Sequence, residues 1–82
     1  MKVSPNPITA HTVISYTIPF ASDVLLRLFS VDGRLIKTID NGYRPAGKYT
    51  HRVDASEIPG GIYILILETD RENITEKVIL IH

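Results

Sequence analysis

Side chains that could support catalysis or metal binding are few in this sequence, and their spacing favours neither. The histidines lie on three separate segments: His11, His51 and His82. A zinc site needs ligands at short paired spacings, which these positions lack. Ser15, Ser30 and Ser56 stand in no Gly-x-Ser-x-Gly turn and have no histidine at a recognisable spacing. We therefore predict no catalytic residue, no metal site and no cofactor, and an enzyme is the least favoured class of function.

The charges of the chain are balanced and dispersed. Nine basic and nine acidic residues give a formal net charge of zero. Nucleic-acid binding and anionic membranes both call for a concentrated basic surface, so neither partner is expected. The acidic residues are too scattered for calcium-dependent adhesion. Cysteine is absent, which excludes disulfides and thiolate metal sites and leaves the compartment open.

The length and the N-terminus indicate one small domain of a longer protein. Eighty-two residues suit a single domain whose core is too small to enclose an active-site cavity of about 300 Å³ or more, so we expect function on the surface. Met1-Lys2-Val3 runs directly into proline and asparagine, without the apolar stretch of a signal peptide. If the protein is exported, residues 1–82 are a fragment of a larger secreted protein.

Apolar residues alternate with polar ones in short segments, which is the pattern of β-strands with one buried face. Six strands are predicted, at residues 12–18, 23–30, 34–39, 48–54, 62–69 and 74–81. A seventh is expected at Lys2 and Val3, since an edge strand tolerates nearby prolines. Asp32-Gly33 supplies a tight hairpin turn, and a polar loop is expected over residues 41–47. Turn signals about every ten residues predict an all-β, immunoglobulin-like antiparallel β-sandwich of about seven strands.

An ordered series of short motifs carries a family resemblance. In chain order the motifs are Pro5-Asn6-Pro7, Thr12-x-Ile14-x-Tyr16-x-Ile18-Pro19, Val31-Asp32-Gly33-Arg34, Ala46-Gly47, Asp54-Ala55-Ser56, Gly61-Ile62-Tyr63 and Lys77-Val78. The series resembles the C-terminal sorting domain of type IX secretion substrates over nearly the whole chain. The immunoglobulin-like domain of the flagellar hook-capping protein is a neighbouring family that shares the hairpin, the Gly-x-Tyr strand and the architecture.

The resemblance implies a non-catalytic secretion and surface-attachment module. Such domains address proteins of Bacteroidetes-type bacteria from the periplasm across the outer membrane to the surface, and the secretion machinery is the implied partner. By analogy the signal lies in the last strands: Gly61, Ile62, Tyr63, Lys77, Val78, Ile79, Leu80, Ile81 and His82. Two positions depart from the family pattern. Ile66 stands where a polar or basic residue is usual, and His82 where the tail often ends in lysine or arginine.

A terminal strand has a physical means of acting as an address. Its unpaired backbone N–H and C=O groups can join the sheet edge of a receptor by β-addition. Alternatively, the last strand has only a structural role: Val78 and Leu80 complete the core, and Lys77 and His82 are solvent-facing charges.

Alternation along two strands predicts an apolar face directed away from the core. If Tyr63 faces the core, Ile62 and Ile64 beside it must point outward. In the first hairpin, Leu25 and Phe29 likewise fall on the face opposite Leu26. The predicted docking face consists of Leu25, Phe29, Ile62, Ile64 and Ile66. We expect it to dock on the preceding domain of the parent protein, on a second copy as a homodimer, or on a secretion component. Alternatively, loops or the proline-rich N-terminal segment cover it.

Two other functions fit a small β-sandwich. A structural spacer or docking domain within a multidomain extracellular enzyme needs no site of its own. A carbohydrate-binding module is less favoured, because tryptophan is absent and the tyrosines at 16, 49 and 63 are expected in the core. Only Tyr43 and Phe29 are then left as stacking platforms.

Overall fold

The computed structural model describes residues 1–81 and consists of β-strands joined by turns. The seven strands are β1 (Lys2–Ser4), β2 (His11–Ile18), β3 (Ser22–Ser30), β4 (Leu35–Arg44), β5 (Gly47–Asp54), β6 (Gly61–Glu68) and β7 (Asn73–Leu80). The short strand expected at Lys2 and Val3 is confirmed as β1. Residues 1–81 contain no helix long and apolar enough to cross a membrane.

The strands form two antiparallel sheets packed as a sandwich. One sheet has the order β1-β2-β5 and the other the order β4-β3-β6-β7, so the predicted all-β, immunoglobulin-like class is confirmed. In the four-stranded sheet β3 pairs with β6, and β6 pairs with β7. β3 and β6 are thus neighbours in one sheet, although two strands, β4 and β5, separate them along the chain.

Inward-facing residues of the two sheets make a single core. As predicted, Ile14, Tyr16 and Ile18 of β2 are buried against the inward residues of β3 and β6. The complete set of buried apolar side chains is Ile8, Ile14, Tyr16, Ile18, Val24, Leu26, Leu28, Val53, Ala55, Tyr63, Leu65, Leu67, Val78 and Leu80. An apolar void of about 20 Å³ remains among them, which offers room for little more than one water molecule.

The prediction for β4 was wrong at its C-terminal end. Asn41 and Gly42, predicted in a polar loop, pair with Leu25 and Val24 inside a ten-residue strand. The pairing of β3 with β4 shifts register twice, and Ile36 and Ile39 fall at the two shifts, where they pack against the core. Because each shift breaks the two-residue period, the alternation that marks the other strands is lost along β4. The predicted turn at Asp32-Gly33 is present, with Gly33 N donating to Ser30 O at 3.0 Å.

After β1 the chain crosses from the three-stranded sheet to the four-stranded one. The buried side chain of Ile8 joins the core, and its backbone forms a parallel bridge to Leu80. The proline-rich segment therefore lies along the outer edge of β7, not over the outward face of the sheet.

Candidate functional site

The two halves of the predicted signal meet in one corner of the four-stranded sheet. Gly61 pairs with Leu80, Ile62 with Ile79, and Tyr63 with Val78, so the start of β6 is hydrogen-bonded to the end of β7. We call residues Gly61–Tyr63 and Lys77–Ile81 the signal corner. His82, also predicted as part of the signal, lies outside the described residues.

Alternation divides the signal corner into a buried set and an outward set. Tyr63, Val78 and Leu80 are no more than 6% exposed and belong to the core. Ile62 and Ile79 are 45% and 38% exposed, and both point away from it. The buried set therefore holds the sandwich together, and the outward set is what a binding partner of the folded domain would contact.

Tyr63 fastens the start of β6 through its hydroxyl group. The hydroxyl donates a hydrogen bond to the carbonyl of Pro59, four residues upstream, at 2.5 Å. Gly61, between them, has a φ of +155°, a region that residues with a Cβ rarely adopt. Proline, glycine and tyrosine at this spacing therefore fold the chain into a tyrosine corner.

The same motif occurs at the start of β5, and sequence reasoning missed the repetition. Pro45, Gly47 and Tyr49 have the spacing of Pro59, Gly61 and Tyr63. The Tyr49 hydroxyl donates to Pro45 O at 2.5 Å, and the φ of Gly47 is again +155°. The repeated spacing Pro-x-Gly-x-Tyr marks both corners in the sequence, but strand periodicity does not reveal it.

The edge of β7 is covered where an open edge was expected. Ile8 N donates to Ile79 O at 2.7 Å, and Ile81 N donates to Ile8 O at 2.8 Å. The side-chain amide of Asn6 donates to Lys77 O at 3.3 Å and accepts from Ile79 N at 3.2 Å, as a backbone peptide would. The expectation of unpaired backbone groups along the tail was thus wrong between Lys77 and Ile81, because the chain's own N-terminal segment pairs with them.

The predicted docking face lies on the outward side of the four-stranded sheet. Phe29 is paired with Ile64, and Leu25, Ile66 and Ile62 occupy the same side. Ile62 is exposed, and the other four are half-buried. β3 and β6 are neighbours, as the predicted face required.

An ion pair divides this outward face into two halves. Arg27, opposite Ile66, donates to Glu68 Oε1 at 2.9 Å, and its guanidinium lies 5.0 Å from the centre of the Phe29 ring. The half that contains Leu25 and Ile66 is thus interrupted by charge. The half toward the signal corner is apolar.

Exposed apolar residues that sequence reasoning missed extend the apolar half. Leu35 of β4 is paired with Phe29 and is 49% exposed, and Val31, in the turn after β3, is 69% exposed. The hairpin pairs Leu35 with Phe29, which places Leu35 on the outward face. The sequence did not reveal this, because the register shifts along β4 break the regular alternation.

A polar cluster occupies the rim between the two sheets at β2, β4 and β5. The carboxylate of Asp40 accepts from the Tyr16 hydroxyl at 2.6 Å and from Arg44 Nη2 at 2.5 Å. His51, predicted at the core edge, is half-buried there and stacks against the Tyr16 ring at 5.8 Å. Its Nε2 lies 3.0 Å from Asp40 Oδ2 but without the alignment of a hydrogen bond.

The protonation of this cluster follows from its contacts. Burial alone would raise the pKa of Asp40, but hydrogen bonds from Tyr16 and Arg44 and the charges of His51 and Arg44 outweigh it, and the pKa is lowered. Burial, and then the bond to Asp40, raises the pKa of Tyr16. The cluster therefore holds an ionised carboxylate inside the fold. No group of three or more His, Cys, Asp or Glu side chains in residues 1–81 is placed to hold a metal ion.

The remaining polar candidates stabilise loops. Asp54 Oδ1 accepts from Ser56 N at 2.9 Å, which confirms the expected loop hydrogen bond, and this bond lowers the pKa of Asp54. Tyr43, one stacking platform considered for sugars, is 62% exposed and lies near the far end of β4 from Leu35.

Comparison with known proteins identifies one family. The family model described as "Secretion system C-terminal sorting domain" matches residues 2–81. No curated protein and no solved structure gives a significant match. The match spans the β1 strand, both tyrosine corners and the whole signal corner. The resemblance carried by the short motifs is thus confirmed, and the chain belongs to the family of secretion system C-terminal sorting domains.

Proposed function

We propose that this domain is a non-catalytic module that directs its parent protein through type IX secretion and attaches it to the cell surface, and that its signal is read at the signal corner. Family membership establishes that the domain is a C-terminal sorting signal for type IX secretion. Proteins marked by such signals are exported to the cell surface or secreted. A sorting signal implies contact with the secretion machinery. Surface attachment and the position of the signal belong to the proposal.

The observation that carries the proposal is the pairing of Ile62 with Ile79. Residues 17 positions apart along the chain form one outward pair at the place where β6 begins and β7 ends. A folded sandwich gains little by exposing two isoleucines at adjacent positions, because covering the exposed part of each would contribute about 1 kcal/mol. With the neighbouring outward side chains of Phe29 and Ile64 they form a contiguous apolar surface, which is the kind of surface that another protein covers.

The polar side chains support a non-catalytic role, because their contacts are structural. Asp40 holds Tyr16 and Arg44 at the rim of the sandwich. The buried hydroxyl of Ser22 accepts from Asp70 N and thereby joins the β2–β3 turn to the β6–β7 turn.

The test is export of a reporter from the periplasm of a bacterium that has a type IX system. Residues 1–82 are fused after a periplasmic fluorescent protein, and surface signal is scored for the unchanged domain and for Ile62→Ser/Ile79→Ser. Deletion of the tail is unsuitable, because it would remove the buried side chains of Val78 and Leu80. The serine variant changes only outward positions, so its fold is expected to persist.

We expect surface signal with the unchanged domain and a decrease of about tenfold with Ile62→Ser/Ile79→Ser. Tyr43→Ser, which removes an apolar side chain of similar exposure outside the signal corner, should export normally. A reporter that stays in the periplasm with the unchanged domain would contradict the proposal and favour a structural spacer.

A further inference from the structure

The outward residues of four strands converge at one end of the four-stranded sheet. We call this set the terminal patch; it consists of Phe29, Val31, Leu35, Ile62, Ile64 and Ile79. Pairing joins Leu35 to Phe29, Phe29 to Ile64, and Ile62 to Ile79, so the set runs continuously from β4 to β7. Val31 lies in the turn that follows β3 at the same end.

Exposed apolar surface is concentrated at this end of the molecule. The large apolar residues that are exposed within residues 1–81 are Val31, Leu35, Tyr43, Ile62, Ile79 and Ile81. All but Tyr43 lie at the terminal patch or, for Ile81, directly after it. Contiguous patches of this kind on a small protein usually mark a contact with another molecule.

Both signs of charge occur at the border of the patch. Lys77 is paired with Ile64 on the outward face, is exposed, and has no carboxylate within ion-pair distance among the described residues. Asp32, which follows Val31 in the β3–β4 turn, accepts from the Ser30 hydroxyl, and this bond lowers the pKa of Asp32 and keeps the carboxyl ionised. The patch is therefore apolar, with a carboxylate at the turn on one side and, at its β7 border, a positive charge that has no ion-pair partner within residues 1–81.

The backbone of the tail is not available to a partner of the folded domain at this place. Asn6 and Ile8 occupy the outward backbone groups of Lys77, Ile79 and Ile81. Such a partner meets side chains on the face of the sheet, and these come from the β3–β4 hairpin as much as from the tail.

Building on the proposed function, we infer that the receptor for this signal is a protein surface of aliphatic side chains bordered by a carboxylate, and that it docks on the terminal patch. Its aliphatic groups cover Leu35, Ile62 and Ile79, and its carboxylate meets Lys77. The address is then a composite surface of the folded domain, to which Val31 and Leu35 contribute although they stand more than forty residues before the tail.

Family membership favours a protein of the secretion machinery over a second copy of the chain as the occupant. A sorting signal implies contact with that machinery, and Lys77 lacks an ion-pair partner within residues 1–81 of its own domain. A receptor with a carboxylate at this position gains both the apolar contact and the ion pair.

The test uses the hairpin, which lies outside the linear tail. Val31→Ser/Leu35→Ser is introduced into the reporter fusion, with Tyr43→Ser as the matched control on another part of the surface. We expect export to decrease about tenfold in the hairpin variant and to remain unchanged in the control. Thermal unfolding of both purified domains should match that of the unchanged domain, since the substituted side chains are exposed.

The charge is tested separately at Lys77. Lys77→Glu places a carboxylate opposite the receptor's own and should decrease export more than Lys77→Gln, which only removes the attraction. Equal export by the two variants would overturn the carboxylate in the inferred receptor.

The remaining outcomes separate this inference from the proposed function. Normal export by the hairpin variant, together with loss in Ile62→Ser/Ile79→Ser, would overturn the composite surface and leave the signal corner intact. A dimer in sedimentation that Leu35→Ser abolishes would instead identify a second copy as the occupant. Leu35-dependent binding to vesicles of phosphatidylglycerol would identify a membrane. Either result would overturn the protein receptor, whereas failure of the unchanged domain to export would contradict the proposed function itself.

Discussion

The two tyrosine corners share one local structure and differ in their surroundings. In each, the tyrosine hydroxyl donates to a proline carbonyl at 2.5 Å and the intervening glycine has a φ of +155°. Tyr63 is 6% exposed and belongs to the apolar core beneath the signal corner. Tyr49 is half-buried and stacks on Tyr16, with ring centres 5.4 Å apart, beside the polar cluster of Asp40.

The local motif sets the backbone geometry of each corner, and the surrounding fold sets how much the corner contributes to stability. The spacing of proline, glycine and tyrosine is sufficient to turn the chain into a strand in both places. The contribution of each corner to stability depends on how completely the ring and the hydrogen bond are removed from water. We therefore expect the corner at Tyr63 to contribute more than the corner at Tyr49.

The largest difference should appear when each ring is removed. Tyr63→Ala is expected to lower the free energy of unfolding by about 3–5 kcal/mol, because it leaves a cavity in the core. Tyr49→Ala should cost about 1–2 kcal/mol, since its ring is already partly solvated. Urea unfolding followed by circular dichroism measures both. Equal losses would show that burial does not distinguish the corners.

A smaller difference is expected when only the hydroxyl groups are removed. Tyr63→Phe leaves the Pro59 carbonyl without its donor in a partly buried place and should cost about 1–2 kcal/mol. Tyr49→Phe should cost about 0.5 kcal/mol or less, because water can replace the donor at the exposed Pro45 carbonyl. These variants keep the rings, so they remain informative if Tyr63→Ala does not fold. A greater loss in Tyr49→Phe would reverse the comparison.

The smallest effect concerns pH and belongs to the Tyr49 side alone. The pKa of Asp40 is lowered in the folded state, so its stabilisation is present above the unfolded pKa of about 4 and is lost as pH falls toward the folded value. Asp40→Asn should cost about 1 kcal/mol at pH 7, and the gap to the unchanged domain should narrow below about pH 4. Urea titrations at pH 7 and pH 3 test this, and a gap that widens at pH 3 would contradict the assigned sign.

Most strands were predictable from sequence because they keep a strict two-residue period. The inward residues Val24, Leu26 and Leu28 and the inward tyrosine of β6 are where alternation predicted them. β4 escaped prediction because register shifts place Ile36 and Ile39 against the core without a regular period. A single strand cannot reveal such shifts, since they exist only relative to its partner.

The candidate site was predictable in part. Gly61-Ile62-Tyr63 and the last strand were found through short motifs, Phe29 and Ile64 were found through alternation, and the pairing of these segments is seen only in the structure. Val31 and Leu35 were missed, because an exposed apolar residue near a turn has no distinctive sequence pattern. The role of Asn6 was also missed, since nothing local indicates which backbone its amide meets.

The sequence by itself determined the strand content, the facing of regular strands, the tyrosine corners and the family. All of these follow from short-range spacing: the two-residue period, the hydrogen bond from tyrosine to a proline four residues before it, and ordered motifs. The tertiary structure alone decided which strands became neighbours, that the N-terminal segment covers the tail edge, and that apolar residues of four strands form the terminal patch. Those outcomes depend on contacts between residues distant along the chain, which the two sheets must satisfy together to close one core.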